Sequence, residues 1–286
     1  MTITHIQELA KRYTEYDMIL LHTDLPDFPE LRVRLLYACL QEAAVPQDKA
    51  ELYALVTALI QMGLDTHDLV PAISLEKGKP EARSRQLKVL AGVYFSSRYY
   101  QLLAKSGEID MIQRIAASVS EINLRKMNLY TTMKQMKLTS EDYIADKVAI
   151  HSHLYFSFEG KMGEMTRVWP EILIGLTTCE ILADELYGLG SIHDFMGSWA
   201  FWKVLHIGSK EERKLLLTGA TDLGKLRSFL LKYQIHSQLQ HMLNDEAIQL
   251  LNKISQLNSD RLIKELQPLI EWLNRSLNKP KTLEEF

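Results

Sequence analysis

The sequence predicts an all-α fold of about ten helices. Apolar residues recur with the spacing of an amphipathic helix along nearly the whole chain. Strands are not expected, because no segment alternates apolar and polar residues for more than a few positions, and no period of roughly 20–50 residues repeats. With 286 residues and 47% hydrophobic composition, the chain can bury a large core. We expect one domain over 1–286, with a frayed polar tail at 278–286.

The first half of the chain alternates helical segments with short connectors. Apolar residues from Ile6 onward begin a short amphipathic helix, and the segment 25–30, which contains two prolines, is a connector. A turn at 46–48 precedes a long helix, and Gly107 ends another. The helices predicted after the connector are 31–44, about 49–65, 85–105 and 109–130.

The second half continues this pattern. Glycines at 160–163 and 188–190 end two helices, and Pro268 is expected to kink or divide the last one. The predicted helices are 142–160, 171–187, 195–205, 211–217, 223–243, 246–257 and 260–277.

Charge, cysteine content and hydropathy exclude several classes of protein. The formal net charge is −3 with 24% charged residues and no Arg/Lys-rich run, which argues against a nucleic-acid binder. Cys39 and Cys179 lie far apart, so neither a disulfide framework nor a zinc site is expected, and a reducing cytoplasm is the predicted location. The charged N-terminus is not a signal peptide. No window approaches about 18 uninterrupted apolar residues, so no membrane span is expected.

Two neighbouring segments carry the candidate chemistry. The first, ALIQMGLDTHDLV at 58–70, ends a helix and places Asp65, His67 and Asp68 in its last turn. Asp65 and Asp68 are three residues apart and share a helical face, so they form either a solvated helix end or a residual pair of cation ligands. The second segment, RQLKVLAGVYFSSRYYQLL at 85–103, is a helix dense in apolar and aromatic residues.

This pair of segments resembles the centre of the trans-prenyl diphosphate synthases. In that family a helix ends in DDxxD, a loop carries RRGxP, and the next helix opens with VLAGD. The carboxylates hold magnesium ions that neutralise the diphosphate as it leaves the allylic substrate. Here Asp68 occupies the first aspartate position, whereas Leu69 and Ala72 occupy the other two. The loop reads EKGKP at 76–80, and Val93 replaces the aspartate of VLAGD.

The second aspartate-rich motif of the family, FQxxDDxxD, falls on residues 179–187. Asp184 and Glu185 are acidic, but Ala183 and Tyr187 occupy the first and last aspartate positions. The two acids are either remnants of the motif or a polar helix end. Because both motifs are incomplete, we do not expect this chain to hold a metal ion or to ionise an allylic diphosphate alone.

The cationic residues that the family uses for diphosphates are partly kept. The family's GKRxRP aligns with 30–35, which keeps Arg32 and Arg34, and its KT pair falls near His151. His151 and His153 are expected to be ordinary histidines, because an i,i+2 spacing on a helix points them apart. The resemblance leaves three candidate diphosphate contacts, Lys77, Lys79 and Arg85.

Within this superfamily the chain resembles component 1, the small regulatory subunit, of heptaprenyl diphosphate synthase. The residues that carry the resemblance are LDTHD, RQLxVLAGxYFSxxYYxLL and EIN…K…LY, within 52–130. The resemblance implies an isoprenoid-synthase-like bundle around a central cavity. It also implies pairing with a large catalytic subunit, component 2, which carries both intact motifs, Mg²⁺ and the prenyl diphosphate substrates. The complex makes the all-trans heptaprenyl diphosphate for menaquinone.

The resemblance also implies where the two subunits meet. In the family's dimers, the helix that opens with VLAGD and the next helix form the contact, and these correspond to 85–105 and 109–130 here. Aromatic residues spread around more than one face of the first helix, as at interface cores. We expect five residues to contact the partner or limit product length, rather than only pack internally: Tyr94, Phe95, Arg98, Tyr99 and Leu102.

Two other functions stay open at this stage. A stand-alone, divergent terpene synthase would need a working magnesium cluster. A helical adaptor without enzymatic role would explain the missing carboxylates, but not the order and spacing of LDTHD and VLAG.

Overall fold

The computed structural model describes residues 3–70, 78–189, 191–219 and 221–277. Within these residues the secondary structure consists of fifteen α-helices and two 3-10 helices, without a β-strand. The predicted all-α class is therefore confirmed. Lys77, Ala72 and the tail at 278–286 lie outside the described residues. Among the helices of the described ranges, none combines the length and hydropathy that a bilayer span requires.

The chain divides into two compact units. The first comprises Met1–Ser118 and Leu154–Trp169, and the second comprises Val119–His153 and Pro170–Phe286. The expectation of a single domain over 1–286 stays a prediction.

The first unit is built from five α-helices, the beginning of a sixth and both 3-10 helices. The α-helices are α1 (Ile3–Thr14), α2 (Asp17–Leu20), α3 (Glu30–Glu42), α4 (Gln47–Asp68), α5 (Lys79–Lys105) and α6 (Ile109–Lys134). The 3-10 helices are Leu154–Lys161 and Gly163–Arg167.

Helix α4 is the centre of the first unit. Every residue from Tyr53 to Leu64 is buried, as expected of a helix that is apolar on all sides. Helices α1, α3 and α5 pack against it, and α5 makes the most extensive contact. The C-terminal turn of α4, which carries Asp65 and Asp68, leaves this buried region beside α5.

The second unit contains the end of α6 and most of the remaining helices. They are α7 (Ser140–His153), α8 (Trp169–Tyr187), α9 (Ile192–Phe195), α10 (Trp199–Ile207), α11 (Lys210–Leu217), α12 (Leu223–Lys232), α13 (Ile235–Ser255), α14 (Asp260–Glu265) and α15 (Gln267–Leu277). Helix α10 packs on α7 and α11, and α13 packs on α12 and α15.

Two helix boundaries differ from the sequence-based expectation. The helix expected over 223–243 ends at Lys232, because Gln234 adopts a left-handed conformation with φ of 48°. Helix α13 then continues through the break expected near Asn244. The Gln240 side-chain amide donates to Asn244 Oδ1 at 2.7 Å, which is a stabilising pair one turn apart on a helix.

Other boundaries differ by a change of helix type or by a few residues. The helix expected over 142–160 is α-helical only to His153 and continues as a 3-10 helix. Helix α5 begins at Lys79 instead of 85, because Pro80 in its first turn has no N–H that would need a partner. The predicted division at Pro268 is confirmed by the boundary between α14 and α15.

Candidate functional site

The last turns of α4 carry the acidic residues of the first motif. Gln61 is buried and donates its side-chain amide to Asp65 Oδ1 at 2.7 Å. Thr66 donates its hydroxyl to the Met62 carbonyl at 2.6 Å. Asp65 is half-buried and Asp68 is exposed. The Asp65 carboxylate therefore accepts the amide of a core glutamine, which gives it a role within α4.

The residues at this helix end do not fit a magnesium cluster. Leu69 stands at the motif position after Asp68 and is 44% exposed as the C-cap of α4. In the described part of this helix end, Asp65 and Asp68 are the only acidic residues, whereas magnesium clusters at diphosphates are held by several oxygen ligands. Among the described residues, no group of three or more His, Cys, Asp or Glu side chains is placed to hold a metal ion.

His67 packs against α5 at the glycine of VLAG. A Cβ added to Gly92 would lie 2.7 Å from both Cε1 and Nε2 of the His67 ring. Gly63 on α4 makes the reciprocal approach, since a Cβ there would lie 2.6 Å from Ser96 Oγ and 3.1 Å from the Gly92 carbonyl oxygen. The two glycines therefore let the backbones approach closely. This close contact gives the shared occurrence of LDTHD and VLAG a physical basis in helix packing.

The inner face of α5 contains part of the predicted contact set. Phe95 is fully buried and packs with Met62 and Ala91. Tyr99 and Leu102 are half-buried, and burial raises the pKa of the Tyr99 hydroxyl. The Phe95 side chain is therefore engaged within the first unit, and a partner-contact role for it stays a prediction.

Tyr94 and Arg98 connect α5 to the N-terminal segment. The hydroxyls of Tyr94 and Tyr16 share a hydrogen bond of 2.6 Å, and their rings meet edge to face with centroids 5.4 Å apart. Arg98 donates Nη2 to the Tyr94 hydroxyl at 2.9 Å, and its guanidinium lies 4.4 Å from the centroid of the Tyr94 ring. These two side chains hold the residues before α2 against α5.

The outer face of α5 is exposed and apolar. Leu90, Val93 and Tyr100 are 63%, 55% and 57% exposed, and Val89 is 41% exposed. Their spacing places them on one side of the helix. Val93, at the family's acidic position, lies in the middle of this row. This face was not predicted from the sequence, because the aromatic residues of α5 were considered together and not by helical side. The spacing of Leu90, Val93 and Tyr100 along the helix would have indicated it. We call Val89, Leu90, Val93 and Tyr100 the outer face of α5.

Helix α6 has exposed apolar residues of its own within the second unit. Leu124, Met127 and Tyr130 are 55%, 60% and 53% exposed. They recur at three-residue intervals, so they lie on neighbouring positions of one side of the helix.

The acidic residues of the second motif end α8, and one of them has a structural role. Glu185 accepts a hydrogen bond from the Tyr143 hydroxyl at 2.7 Å and another from the Trp199 backbone N–H at 2.8 Å. Trp199 is the first residue of α10, where a carboxylate stabilises the free N–H groups of the helix. Burial and the neighbouring Glu185 carboxylate raise the pKa of Tyr143. Asp184 is exposed.

The second motif also does not fit a magnesium cluster. Ala183 and Tyr187 supply no carboxylate at the first and last positions. The Glu185 carboxylate is held by two donors from α7 and α10, which fix its orientation within the second unit. Its role in the described structure is to connect three helices.

Two arginines assigned to the family's diphosphate motif are engaged within the first unit. Arg34 donates Nη2 to Glu30 Oε1 at 2.7 Å, one turn earlier on α3. The guanidinium of Arg32 lies 5.7 Å from the centroid of the Tyr155 ring. Both guanidinium groups therefore have interaction partners within the first unit itself.

The three diphosphate candidates lie around the start of α5. Lys77 is outside the described residues, Lys79 begins the helix, and Arg85 lies on its second turn. Arg85 is half-buried and lines a hollow of about 460 Å³ together with residues that are mostly apolar, Val70, Gln86, Val89 and Leu90. A diphosphate role for these residues stays a prediction.

The histidines near the family's KT position end α7. His151 and His153 are half-buried, and burial together with the nearby Arg125 lowers the pKa of His153. The buried Ser152 donates its hydroxyl to the Val148 carbonyl at 2.7 Å. The hydroxyl that aligns with the family's threonine is thus bonded within its own helix.

Comparison with known proteins identifies the family. Residues 16–172, more than half of the chain, match the family described as heptaprenyl diphosphate synthase (HEPPP synthase) subunit 1. The chain belongs to this family. This match confirms the narrower resemblance predicted from the sequence.

A curated relative supports the same assignment. This chain is 42% identical over 91 residues to heptaprenyl diphosphate synthase component 1 from Geobacillus stearothermophilus. That match covers 32% of this chain and 39% of the relative, so the chain matches less than half of the relative's length.

Solved structures show the fold of the whole chain. The decaprenyl diphosphate synthase from Rhodobacter capsulatus superposes with a TM-score of 0.72 at 15% identity, covering 96% of this chain and 95% of that one. A heptaprenyl diphosphate synthase from Staphylococcus aureus superposes with a TM-score of 0.70 at 13% identity, covering 97% of both chains. Geranylgeranyl pyrophosphate synthase from Lactobacillus brevis gives a TM-score of 0.74 at 16% identity, covering 96% and 95%. The predicted isoprenoid-synthase-like fold is confirmed.

Proposed function

We propose that this chain is the non-catalytic, regulatory subunit of a two-component heptaprenyl diphosphate synthase. The observation that carries the proposal is the loss of carboxylates at both metal-binding motifs, where Leu69, Ala183 and Tyr187 stand at aspartate positions. Of the two neighbouring acids, Asp184 keeps the second aspartate position, and Glu185, at a variable position of the motif, connects α7, α8 and α10. An allylic diphosphate ionises only when metal ions neutralise its leaving group, so a second polypeptide has to supply them.

The partner in this proposal is a large catalytic subunit. The name "component 1" of the curated relative supports the existence of a second component. That subunit would hold Mg²⁺ with both intact motifs, bind the prenyl diphosphates and release the all-trans heptaprenyl chain for menaquinone. We place the pair in the cytoplasm, where the two buried free thiols, Cys39 and Cys179, would stay reduced.

The outer face of α5 is our choice for the docking surface. It presents Leu90, Val93 and Tyr100 to solvent on one side of a long helix, and apolar faces of this kind mark interaction sites. A buried side chain of this size contributes about 1.5–3 kcal/mol, so three of them can anchor an interface. The half-buried Tyr99 and Leu102 on the same helix would help set product length.

The decisive experiment measures chain elongation by this chain, the large subunit and their mixture. With farnesyl diphosphate, isopentenyl diphosphate and Mg²⁺, we expect product from the mixture and none from this chain alone. Magnesium-dependent turnover by this chain in isolation would support a stand-alone synthase and refute the proposal. In the mixture, Tyr99→Ala is expected to lengthen the product in mass spectrometry, whereas an unchanged length distribution would remove Tyr99 from length control.

A variant of the outer face tests the docking surface. Leu90→Asp places a charge on the apolar outer face of α5, where an unpaired charge is costly once the face is covered. We expect it to weaken association with the large subunit at least about 10-fold, because about 1.4 kcal/mol corresponds to a factor of ten. Leu231→Asp is the matched control, since Leu231 is 67% exposed on α12. Equal affinity of the two variants would argue against the outer face of α5.

A further inference from the structure

Helix α2 is a short, exposed apolar element that cannot hold its own conformation. It comprises the four residues Asp17–Leu20, and its N-cap Tyr16 makes no side-chain capping bond. So short a helix is not stable by itself. Met18, Leu20 and Leu21 are 52%, 53% and 75% exposed, so this short segment presents three large apolar side chains to solvent.

Contacts with α5 fix α2 in place. Ile19 packs on the buried cluster that contains Phe95. The Tyr16 hydroxyl bonds the Tyr94 hydroxyl at 2.6 Å, and beyond the helix Ser84 donates to Thr23 Oγ1 at 3.3 Å. The exposed leucines are therefore held in a defined position and are not part of a loose terminus.

The exposed end of α2 lies on the same side of the first unit as the outer face of α5. Leu20 and Leu21 line a hollow of about 530 Å³ together with Arg83 and Ser84 of α5. Arg83 precedes Leu90 by seven residues, which places both on one side of the helix. His22, Thr23 and Asp24 line the rest of this hollow, so α2 and Leu90 lie on one side of the first unit with a polar hollow beside α2.

We propose that α2 extends the docking surface, and that the same large catalytic subunit covers Met18, Leu20 and Leu21 together with the outer face of α5. This inference rests on the proposed function. The position of α2 on the same side of the first unit as the outer face of α5 supports this occupant. A membrane surface is disfavoured, because Asp17 and Asp24 flank the exposed leucines and acidic residues repel anionic lipids.

The test compares three variants of the full chain in binding to the purified large subunit. The double variant Leu20→Ser/Leu21→Ser removes apolar surface from α2, Leu90→Asp disrupts the outer face of α5, and Leu231→Ser is the control on α12. We expect the double variant to raise the Kd at least about 10-fold, because it removes two apolar contacts from the interface. The control should keep the affinity of the unmodified chain. Circular dichroism checks that all variants are folded.

Hydrogen exchange adds a direct measure of coverage. Backbone amides of 17–23 should exchange at least about 10-fold more slowly in the complex than in the free chain, because the partner excludes water from α2. Unchanged exchange of these amides in a complex that does form would overturn the inference.

The outcomes separate this inference from the proposed function. If only Leu90→Asp weakens binding, the extension to α2 is wrong and the proposed function stands. If no complex forms with the unmodified chain, both are wrong. If the double variant binds the subunit normally but loses binding to phosphatidylcholine vesicles, or breaks up a dimer of this chain, α2 has another occupant and the inference is overturned.

Discussion

Gly92→Ala tests the close contact between α4 and α5 that underlies the LDTHD and VLAG pattern. The added methyl carbon would lie 2.7 Å from two atoms of the His67 ring and 2.9 Å from a third. Ordinary contact begins at 3.4 Å, so either the ring or the helix has to move by several tenths of an ångström. His67 is half-buried, which restricts its movement, and α5 is held by the buried Ala91 and Phe95 on either side.

The expected magnitude follows from two opposing effects. Alanine in a helix interior is favoured over glycine by about 1 kcal/mol, which would stabilise α5. Overpacking a well-filled contact costs about 1–3 kcal/mol, which is larger. We therefore expect Gly92→Ala to lower the free energy of unfolding by up to about 2 kcal/mol. In a His67→Ala background the obstacle is gone, and the same change should raise stability by about 1 kcal/mol.

Urea denaturation of the four proteins in this double-mutant cycle measures the coupling between the two residues. We expect a coupling energy of about 1–3 kcal/mol, above the additivity error of about 0.5 kcal/mol. Gly224→Ala on α12 is the control, because the nearest atom to its added Cβ lies at an ordinary 3.4 Å. If Gly92→Ala is stabilising in the presence of His67, or if the cycle is additive, the packing argument is wrong.

Two further predictions concern carboxylates with structural roles. Glu185→Ala leaves two donors of the second unit without their acceptor, so the free energy of unfolding in urea should fall by about 2–4 kcal/mol. Glu185→Gln should lower it by only about 1 kcal/mol. Similar losses in the two variants would contradict this role. Glu212 accepts hydrogen bonds from Lys232 and Tyr233, which lower its pKa from 4.5 to about 2, so its contribution is complete above pH 4.5 and is lost as the pH falls toward 2. The stability difference between the unmodified chain and Glu212→Gln should therefore shrink by about 0.5–1 kcal/mol between pH 6 and pH 4, while the exposed Glu164→Gln shows no such change.

The parts of the fold that the sequence predicted are those in which local pattern and packing agree. Helix α4 is apolar enough to be recognised from its residues alone, and Pro268 marked the boundary between α14 and α15. The boundary between α12 and α13 was not predicted, because Gln234 has no residue-type preference for a left-handed conformation. The 3-10 continuation after His153 also carries no strong signal in residue type.

The candidate site shows a similar limit. The missing carboxylates at Leu69 and Ala183 can be read from the order of residues alone. The partners of Glu185 and Tyr94 do not, because Tyr143 and Tyr16 lie 42 and 78 residues away along the chain. Only tertiary packing brings these groups together, so sequence spacing could not show that these side chains are used inside the units.

The hydrogen bonds of Glu185 show that not every acid in the second motif is a remnant of metal binding. The aspartate positions of the motif fall on Ala183, Asp184 and Tyr187, whereas Glu185 stands at one of the variable positions between them. Its carboxylate is oriented by the Tyr143 hydroxyl and by the first N–H of α10, and both bonds stabilise the second unit. Replacing Ala183 and Tyr187 by aspartate would restore the motif around Asp184 and leave Glu185 bound to these donors. The Glu185 carboxylate therefore belongs to the packing of α7, α8 and α10, independently of the residue types at the aspartate positions.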